Sequence, residues 1–323
     1  MSQVKDAGMR IGFVGLGAMG LPMARNLLKG GHDVAGHDID PGAMAAFAAA
    51  GGRTAASGAE AARAAQLVVT MLPKAEHIRA ALCGPDGILD TLDESALLVN
   101  MSTILPGETD EIAALLAARG RRMLDSPVGR SAMEAERGTL LILASGAAQD
   151  KETARAALLC MGNQIIDCGE VGGGSRVKIV NNFMGISLNA LTAEALTLAE
   201  AGGLDIGLAL EVMRGTIAGL GHMSITYPNK VLRGDLSPGF KVDLAHKDLG
   251  LALAMGASCH AATPMGAAAF QSYSVARAQG RGEQDYSAIY PTLRSLAGLP
   301  PDIPYSSDAP LNADPFGPAA KAG

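Results

Sequence analysis

The chain has 323 residues, of which 48% are hydrophobic and 18% are charged, and its formal net charge is −6. This length is enough for about two domains, each with its own core. The acidic balance argues against a general nucleic-acid or anionic-membrane surface. No apolar signal core opens the sequence, and no clean apolar run reaches about 18 residues, so we expect a cytoplasmic protein that does not span a membrane. The four cysteines lack metal-ligand spacing, which predicts no metal site.

The first recognisable unit is a strand that runs into a glycine-rich turn. A buried strand at Met9–Val14 precedes the turn, a helical pattern follows it, and a second strand at Asp33–His37 ends before Asp38. In this order a GxGxxG pattern is typical of dinucleotide binding, with the pyrophosphate at the helix N-terminus. The predicted cofactor contacts are Gly15, Leu16, Gly17, Ala18, Met19, Gly20 and Asp38. A carboxylate at Asp38 can accept from both ribose hydroxyls and would repel a 2′-phosphate, which favours NAD(H) over NADP(H).

Further strands alternate with helices through the first half of the chain. They are expected at Leu67–Leu72, Ala96–Asn100, Arg121–Leu124, Thr139–Ala144 and Gln164–Cys168, the last one closing the sheet. Ligands of open parallel sheets lie beyond the carboxyl ends of strands, so the loops at 71–73 and 100–103 are either contacts on the cofactor side or plain turns. The residues concerned are Leu72, Pro73, Ser102 and Thr103.

Arg130 lies in a similar loop, between Gly129 and Ser131. Its guanidinium offers five donors in a fixed fork, which suits an anion. The residues around it leave two interpretations open, an anion clamp or a solvated loop charge.

A long helix is expected at residues 172–203. Apolar residues recur there at helical spacing and predict a core-facing stripe: Val177, Val180, Met184, Leu188, Leu191, Ala195 and Leu198. A second stripe of Lys178, Asn182, Gly185 and Asn189 runs beside it. Because asparagine is a poor helix former, this ordered polar stripe indicates the wall of a pocket; the alternative is a solvated face with one lysine.

The remaining pattern predicts helices, at Ile206–Arg214 behind an Asp205 cap, after Gly239–Lys247, at Met265–Gln279 and within Tyr286–Leu299. We therefore predict an α/β fold in which a Rossmann domain with a mostly parallel sheet at 9–170 is followed by an all-helical domain at 171–299. The long helix joins the two domains. Residues 1–8 and the Pro-rich tail at 300–323 are expected to be disordered.

Taken together, these motifs resemble the β-hydroxyacid dehydrogenase family. The shared marks are GFVGLGAMG, MLP, a Ser-Thr pair after the fourth strand, a D-x-P-V loop, K-x-x-x-N on the long helix and KDL, spread over roughly residues 9–299. The resemblance implies that Lys178 is the catalytic acid or base and that Asn182 holds the substrate. It also implies that Lys247 lies near the nicotinamide, and that the helical domain builds a homodimer or homotetramer.

One departure from the family pattern concerns the substrate. Members that act on simple β-hydroxy carboxylates have D-A-P-V-S-G-G, whereas this chain has Arg130 in place of the middle glycine. Together with the stretches PNKVLRGDLSP and DLAHKDLG, this loop is similar to the sulfolactaldehyde reductase branch. A sulfonate is a permanent anion with three oxygens and needs several donors. The expected substrate contacts are Arg130, Ser131, Gly129, Ser102 and Asn181.

The resemblance implies NADH-dependent reduction of 3-sulfolactaldehyde to 2,3-dihydroxypropane-1-sulfonate, with Lys178 transferring the proton. Arg130 also suits a carboxylate, so succinic semialdehyde or 4-hydroxybutyrate, tartronate semialdehyde and 3-hydroxyisobutyrate are alternative substrates. A non-catalytic binding protein on the same fold is an alternative from another class, which the presence of Lys178 and Asn182 disfavours. The expected partners are small anionic aldehydes, hydroxy acids or sulfonates, and neither nucleic acid nor membrane.

Overall fold

A computed structural model describes residues 8–201, 204–214, 222, 226–258 and 264–305 of the chain. The fold divides into two compact units, Met1–Asn181 and Asn182–Gly323, and the boundary falls inside a helix. The predicted disordered ends lie outside the described residues up to residue 7 and from residue 306 onward. Within the described ranges, no helix has the length and apolar character needed to cross a bilayer.

A six-stranded parallel sheet forms the centre of the first unit. Its strands are β1 (Arg10–Val14), β2 (Asp33–His37), β3 (Arg53–Thr54), β4 (Leu67–Thr70), β5 (Leu97–Asn100) and β6 (Arg122–Asp125). They lie in the order β3-β2-β1-β4-β5-β6, and every neighbouring pair is parallel. The strand order reverses between β1 and β4, which is the point where sheets of this kind bind ligands. The predicted Rossmann architecture is confirmed.

Helices connect these strands and cover the sheet. They are α1 (Gly20–Lys29), α2 (Pro41–Ala49), α3 (Gly58–Ala62), α4 (Ala75–Cys83), α5 (Pro106–Ala117), α6 (Ala132–Arg137) and α7 (Ala148–Met161). Alternate residues of the strands enter two different hydrophobic clusters, as Phe13 and Val14 of β1 do. Since successive side chains of a strand point to opposite faces, the sheet carries one core on each side.

A second, three-stranded sheet follows in the same unit. Its strands are β7 (Val128–Gly129), β8 (Leu140–Ala144) and β9 (Gly162–Asp167), with β7 antiparallel and β9 parallel to β8. The prediction that the last strand closes the main sheet is therefore wrong. The chain leaves β6 at Ser126 and Pro127 and starts a new antiparallel pair. An isolated bridge between Asp125 and Ser145 links the two sheets there.

The second unit consists of helices in its described part. The helix α8 (Gly173–Ala201) spans the unit boundary, and it is followed by α9 (Ile206–Arg214), α10 (Tyr227–Asn229), α11 (Val242–Ser258), α12 (Pro264–Ala278) and α13 (Ile289–Leu296). The predicted cap of α9 is confirmed, because Asp205 accepts a hydrogen bond from the backbone N–H of Leu208 at 2.8 Å. The predicted helical domain is thus confirmed over the described residues.

The predicted core face of α8 is wrong over the first half of the helix, and the side chains of its members Leu191, Ala195 and Leu198 lie outside the described residues. Val177, Val180 and Met184 are 45%, 56% and 60% exposed. The buried apolar residues of this helix include Ile179, Ile186, Ala190, Ala193 and Leu196. Asn189 of the polar stripe is fully buried. Burial of its amide is tolerated because its Nδ2 donates a hydrogen bond to the hydroxyl of Tyr273 at 2.6 Å. Helical spacing fits both stripes equally, so polar partners on other helices decide which one enters the core.

Candidate active site

The turn between β1 and α1 has the backbone geometry that a dinucleotide requires. Gly15 has a φ of +101°, and a Cβ there would lie 2.2 Å from the carbonyl oxygen of Met71. A Cβ on Gly20 would lie 1.8 Å from the carbonyl oxygen of Gly15, so only glycine lets α1 begin this close to the turn. Gly17 faces open space, where a Cβ would meet nothing within 4 Å. These residues fit a pyrophosphate at the N-terminus of α1, next to the exposed Ala18.

Asp38 joins the end of β2 to this turn. Its Oδ2 accepts a hydrogen bond from the N–H of Leu16 at 2.6 Å, and its Oδ1 accepts one from the N–H of Asp40 at 2.9 Å. A surface cleft of about 380 Å³ lies beside the turn, and its charged lining residues, Asp40 and Glu136, are both acidic. Carboxylates at this position can accept hydrogen bonds from ribose hydroxyls, and they would repel a phosphate bound there.

Ser102 ties the two predicted cofactor loops together at the ends of β4 and β5. Its hydroxyl accepts from the N–H of Leu72 at 2.9 Å and donates to the carbonyl oxygen of Thr70 at 3.4 Å. Ser102 is 1% exposed, so its hydroxyl is used inside the protein. This geometry indicates that Ser102 holds the two loops together, and it disfavours the predicted contact between Ser102 and the substrate. Pro73 is exposed at the loop and Thr103 is half-buried, and both remain candidate contacts.

Arg130 follows β7 in a conformation that is unusual for its residue type. Its φ of +76° lies in the left-handed region that glycine adopts without strain. Its Nη1 donates to the carbonyl oxygen of Thr139 and, at 2.7 Å, to Oδ1 of Asn163. Both of these acceptors are neutral, and they orient the guanidinium. Backbone strain of this kind is concentrated at ligand sites.

The neighbours of Arg130 take part in local structure. Gly129 lies in β7 opposite Leu141 of β8. Ser131 caps α6, and its N–H and hydroxyl donate to the carboxylate of Glu134 at 2.9 and 2.6 Å. An anion bound at Ser131 would therefore share these donors with a carboxylate. Of the three predicted loop contacts, Arg130 is the one whose charge favours an anion.

Lys178 lies in the second turn of α8 and is 9% exposed. It belongs to the first unit, as do the glycine turn and the Arg130 loop. One turn before it, the N–H of Ser175 donates to Oδ2 of Asp125 at 2.8 Å. The lysine therefore follows a point where α8 is fixed to the carboxyl end of β6.

In the second unit, Asn182 and Lys247 share one carboxylate. Asn182 follows Lys178 by one helical turn, and its Nδ2 donates to Asp248. The Nζ of Lys247 lies 3.0 Å from the other carboxylate oxygen of Asp248, a residue that is 4% exposed. Asp248 thus orients the Asn182 amide, because the Nδ2 group must face the carboxylate. Asn181, which precedes it, is exposed.

Comparison with known proteins places the chain in a family. Residues 10–169 match the NAD binding domain of 6-phosphogluconate dehydrogenase, and residues 172–293 match the family described as NAD-binding of NADP-dependent 3-hydroxyisobutyrate dehydrogenase. The chain is 48% identical over 289 residues to the 3-sulfolactaldehyde reductase of Escherichia coli (strain K12), covering 90% of this chain and 97% of that protein. The chain belongs to the β-hydroxyacid dehydrogenase family.

Other members of the family are similar over the same length. The 3-hydroxyisobutyrate dehydrogenase of Pseudomonas aeruginosa is 37% identical, covering 88% of this chain and 98% of that protein. A solved structure of Mycobacterium tuberculosis 3-hydroxyisobutyrate dehydrogenase with L-serine has a TM-score of 0.81 and 34% identity, covering 89% of this chain and 99% of that one. This β-hydroxyacid dehydrogenase is therefore a nicotinamide-dependent oxidoreductase near the sulfolactaldehyde reductases, which confirms the predicted family.

Two carboxylates of this β-hydroxyacid dehydrogenase escape the sequence prediction. Asp125 opens the D-x-P-V loop and Asp248 is the central residue of KDL, so each lies in a recognised motif. Their partners, Ser175 and Asn182, lie 50 and 66 residues away along the chain, and spacing cannot reveal such pairs. Within the described part of the chain, no group of three or more His, Cys, Asp or Glu side chains is placed to hold a metal ion.

Proposed function

We propose that the chain reduces 3-sulfolactaldehyde to 2,3-dihydroxypropane-1-sulfonate with NADH, in a reversible reaction. The observation that carries this proposal is an oriented guanidinium at a strained loop position, Arg130. A sulfonate keeps its charge at all working pH values, and its oxygens match the forked donors of arginine. The similarity to a reductase named for this substrate supports the same choice.

The chain's own residues have distinct roles in the proposal. When bound, NADH supplies the hydride to the aldehyde carbon. Lys178 donates the proton that the developing alkoxide oxygen takes up, and it accepts this proton in the reverse direction. Asn182, oriented by Asp248, holds the reacting oxygen. The other proposed contacts with the substrate are Gly129, Ser131 and Asn181.

The proposed cofactor is NAD(H), with NADP(H) disfavoured. The Asp38 carboxylate is fixed by two backbone N–H groups, and the charged residues of the neighbouring cleft are acidic. A 2′-phosphate on the ribose would approach these negative charges. Lys247 is proposed to lie near the nicotinamide, and the proposed location is the cytoplasm, where thiols stay reduced.

We also propose that the chain forms a homodimer or homotetramer through its helical part. Leu208 and Val212 of α9 are 55% and 58% exposed and lie one helical turn apart, so they form one apolar stripe, and Leu204 just before the helix is 58% exposed. Val180 and Met184 of α8 are exposed as well. Large exposed apolar side chains in a row are typical of a protein–protein interface. Light scattering on the purified protein tests this state directly.

Steady-state kinetics on a panel of aldehydes tests the proposed reaction. The panel contains 3-sulfolactaldehyde, succinic semialdehyde, tartronate semialdehyde and the neutral glyceraldehyde, each with NADH and with NADPH. We expect kcat/KM to be at least ~10-fold higher for the sulfonate than for any other aldehyde, which corresponds to about 1.4 kcal/mol. NADH should be the better cofactor. A higher kcat/KM for a carboxylate would overturn the sulfonate assignment, and absence of turnover throughout would favour a binding protein.

A further inference from the structure

The start of α8 is held mainly by side chains of the sheet region, although the N–H of Gly173 donates to the carbonyl oxygen of its chain neighbour Glu170 at 2.9 Å. A helix leaves its first N–H groups without partners inside the helix. Here the N–H of Gly174 donates to Oγ of Ser145 at 2.9 Å, and the N–H of Ser175 donates to Oδ2 of Asp125 at 2.8 Å. Both acceptors are side chains of the sheet region, one at the end of β6 and the other just after β8. The first turn of α8 is therefore attached directly to the carboxyl end of the sheet.

Asp125 is the centre of this attachment. It is fully buried, and it also accepts from Oγ of Ser175 at 2.9 Å and from Oγ of Ser145 at 3.2 Å. Thr109 of α5 lies 2.9 Å from the same Ser175 oxygen, which links a third element. Burial raises the pKa of Asp125, and the hydrogen bonds from Ser175 and Ser145 oppose that shift. A carboxylate at a helix N-terminus gains both charge-assisted hydrogen bonds and a favourable helix dipole.

Close packing leaves this turn little freedom to move. A Cβ on Gly174 would lie 2.5 Å from the carbonyl oxygen of Leu143 and 2.9 Å from Cδ of Pro127. The chain from Asp125 continues through Pro127 into the Arg130 loop. One residue thus connects the start of α8 to the strand end from which that loop departs.

We propose that Asp125 is a positioning residue for Lys178. Its carboxylate fixes the first turn of α8, and Lys178 follows Ser175 by three residues, which is about one turn. Asp125 touches neither substrate nor cofactor in this account and acts through the helix. The inference rests on the proposed role of Lys178. A catalytic group displaced by about 1 Å can lose roughly 100-fold in rate.

The test compares three variants in full-length enzyme. Asp125→Asn keeps the size of the side chain but turns an acceptor into a donor that faces the donors of Ser175. We expect its kcat to fall ~10- to 100-fold while the KM for NADH changes less than ~3-fold. The primary isotope effect with NADH deuterated at C4 should increase, because hydride transfer becomes more rate-limiting. Ser175→Ala keeps the N–H donor and loses only the hydroxyl, so its kcat should fall by less; it tests the same link if Asp125→Asn does not fold.

Asp110→Ala is the matched control. Asp110 of α5 pairs with Arg176 of α8 at 2.7 Å, and both side chains are about half exposed. Removing this pair also cuts a link between α5 and the first turns of α8, but it leaves Asp125 untouched. Its kcat should stay within ~2-fold of the wild-type value.

Two measurements need no turnover and separate this inference from the proposed reaction. Hydrogen exchange at residues 174–178 and the rate of chemical labelling of Lys178 are followed by mass spectrometry in the NADH complex. Both should increase in Asp125→Asn relative to the wild type and to Asp110→Ala, even if 3-sulfolactaldehyde is not a substrate. The inference is overturned if exchange and labelling are unchanged, if Asp125→Asn and Ser175→Ala keep wild-type kcat, or if Asp110→Ala loses as much kcat as they do.

Discussion

The two units of the chain place their functional side chains by different means. In the first unit they depend on strand ends: Asp38 follows β2, and Lys178 stands on a helix whose first turn Asp125 fixes to the end of β6. The register of the parallel strands aligns Thr70 with Asn100 and Asn100 with Asp125. In the second unit they stand on helix faces and are oriented by polar groups from other helices, as Asn182 is by Asp248. Changes at the strand ends should therefore affect chemistry with little effect on stability, whereas changes to the polar links between helices should affect stability.

Lys178 should show the largest effect on chemistry. Lys178→Met removes the proposed acid and should lower kcat about 10³-fold, within the range for general acid–base catalysis. The free energy of unfolding, measured with urea, should hardly change, because methionine fills similar space. Arg176→Met, two residues earlier and exposed, is the control and should keep its kcat. If Lys178→Met keeps kcat within ~10-fold of the wild type, another group transfers the proton.

Asp38 should show the next largest effect, confined to the cofactor. Asp38→Asn weakens charge-assisted hydrogen bonds worth about 1.5–3 kcal/mol, so the KM for NADH should rise ~10- to 100-fold. The preference for NADH over NADPH should shrink at the same time. Asp33→Asn changes a carboxylate at the other end of β2, 3.8 Å from Arg53, and should leave both constants unchanged. Equal effects of the two variants would mean that the net charge of the strand matters and not the contact.

Asn189 should show the reverse pattern, a loss of stability without a loss of chemistry. Its Nδ2 donates to Tyr273, and its backbone carbonyl oxygen, which alanine would keep, accepts from the hydroxyl of Tyr227 at 3.1 Å. Asn189→Ala leaves the buried Tyr273 hydroxyl unsatisfied and opens a cavity, which should cost about 2 kcal/mol in urea denaturation. Ser272→Ala, at a half-buried position of α12, removes a hydroxyl that donates to the carbonyl oxygen of Ala268 in the same helix, and it should cost less than ~0.5 kcal/mol. A large loss of kcat per folded Asn189→Ala molecule would contradict the contrast between the units.

His222 should contribute the smallest effect, visible only in acid. It is 9% exposed, and its Nε2 donates to the carbonyl oxygen of Gly185 at 2.7 Å. Burial lowers the pKa of His222, although the Gly185 contact and the charge of Asp285 oppose this. The unfolded chain therefore binds this proton more readily, and the stability held by neutral His222 is lost as the pH falls below the ordinary value of 6.5.

Denaturation between pH 8 and pH 5 measures that contribution. One proton gives a slope of at most about 1.4 kcal/mol per pH unit. The stability difference between the wild type and His222→Gln should shrink as the pH falls. A difference that does not depend on pH would show that the pKa of His222 is the same in the folded and unfolded states, which would contradict the shift caused by burial.

The same contrast explains how much could be predicted from the sequence. The glycine turn and Asp38 could be located because their signal, a glycine-rich turn between a strand and a helix followed by a second strand and an acid, lies within one short stretch of sequence. The face of α8 could not, because Val180 and Asn189 both fit helical spacing and only Tyr273, far along the chain, favours burying the asparagine. The contacts of Arg130 with Thr139 and Asn163 depend likewise on the second sheet, which no local pattern predicts.

The most direct test of the account is the substrate preference of Arg130→Gly. Glycine adopts the left-handed backbone at this position without strain, so the variant should fold as well as the wild type. The KM for 3-sulfolactaldehyde should rise ~10- to 100-fold, because the charged hydrogen bonds to the sulfonate are lost. The kcat/KM for the neutral glyceraldehyde should stay within ~3-fold of the wild-type value. Equal losses on both aldehydes would contradict the assignment of Arg130 as the residue that selects the sulfonate.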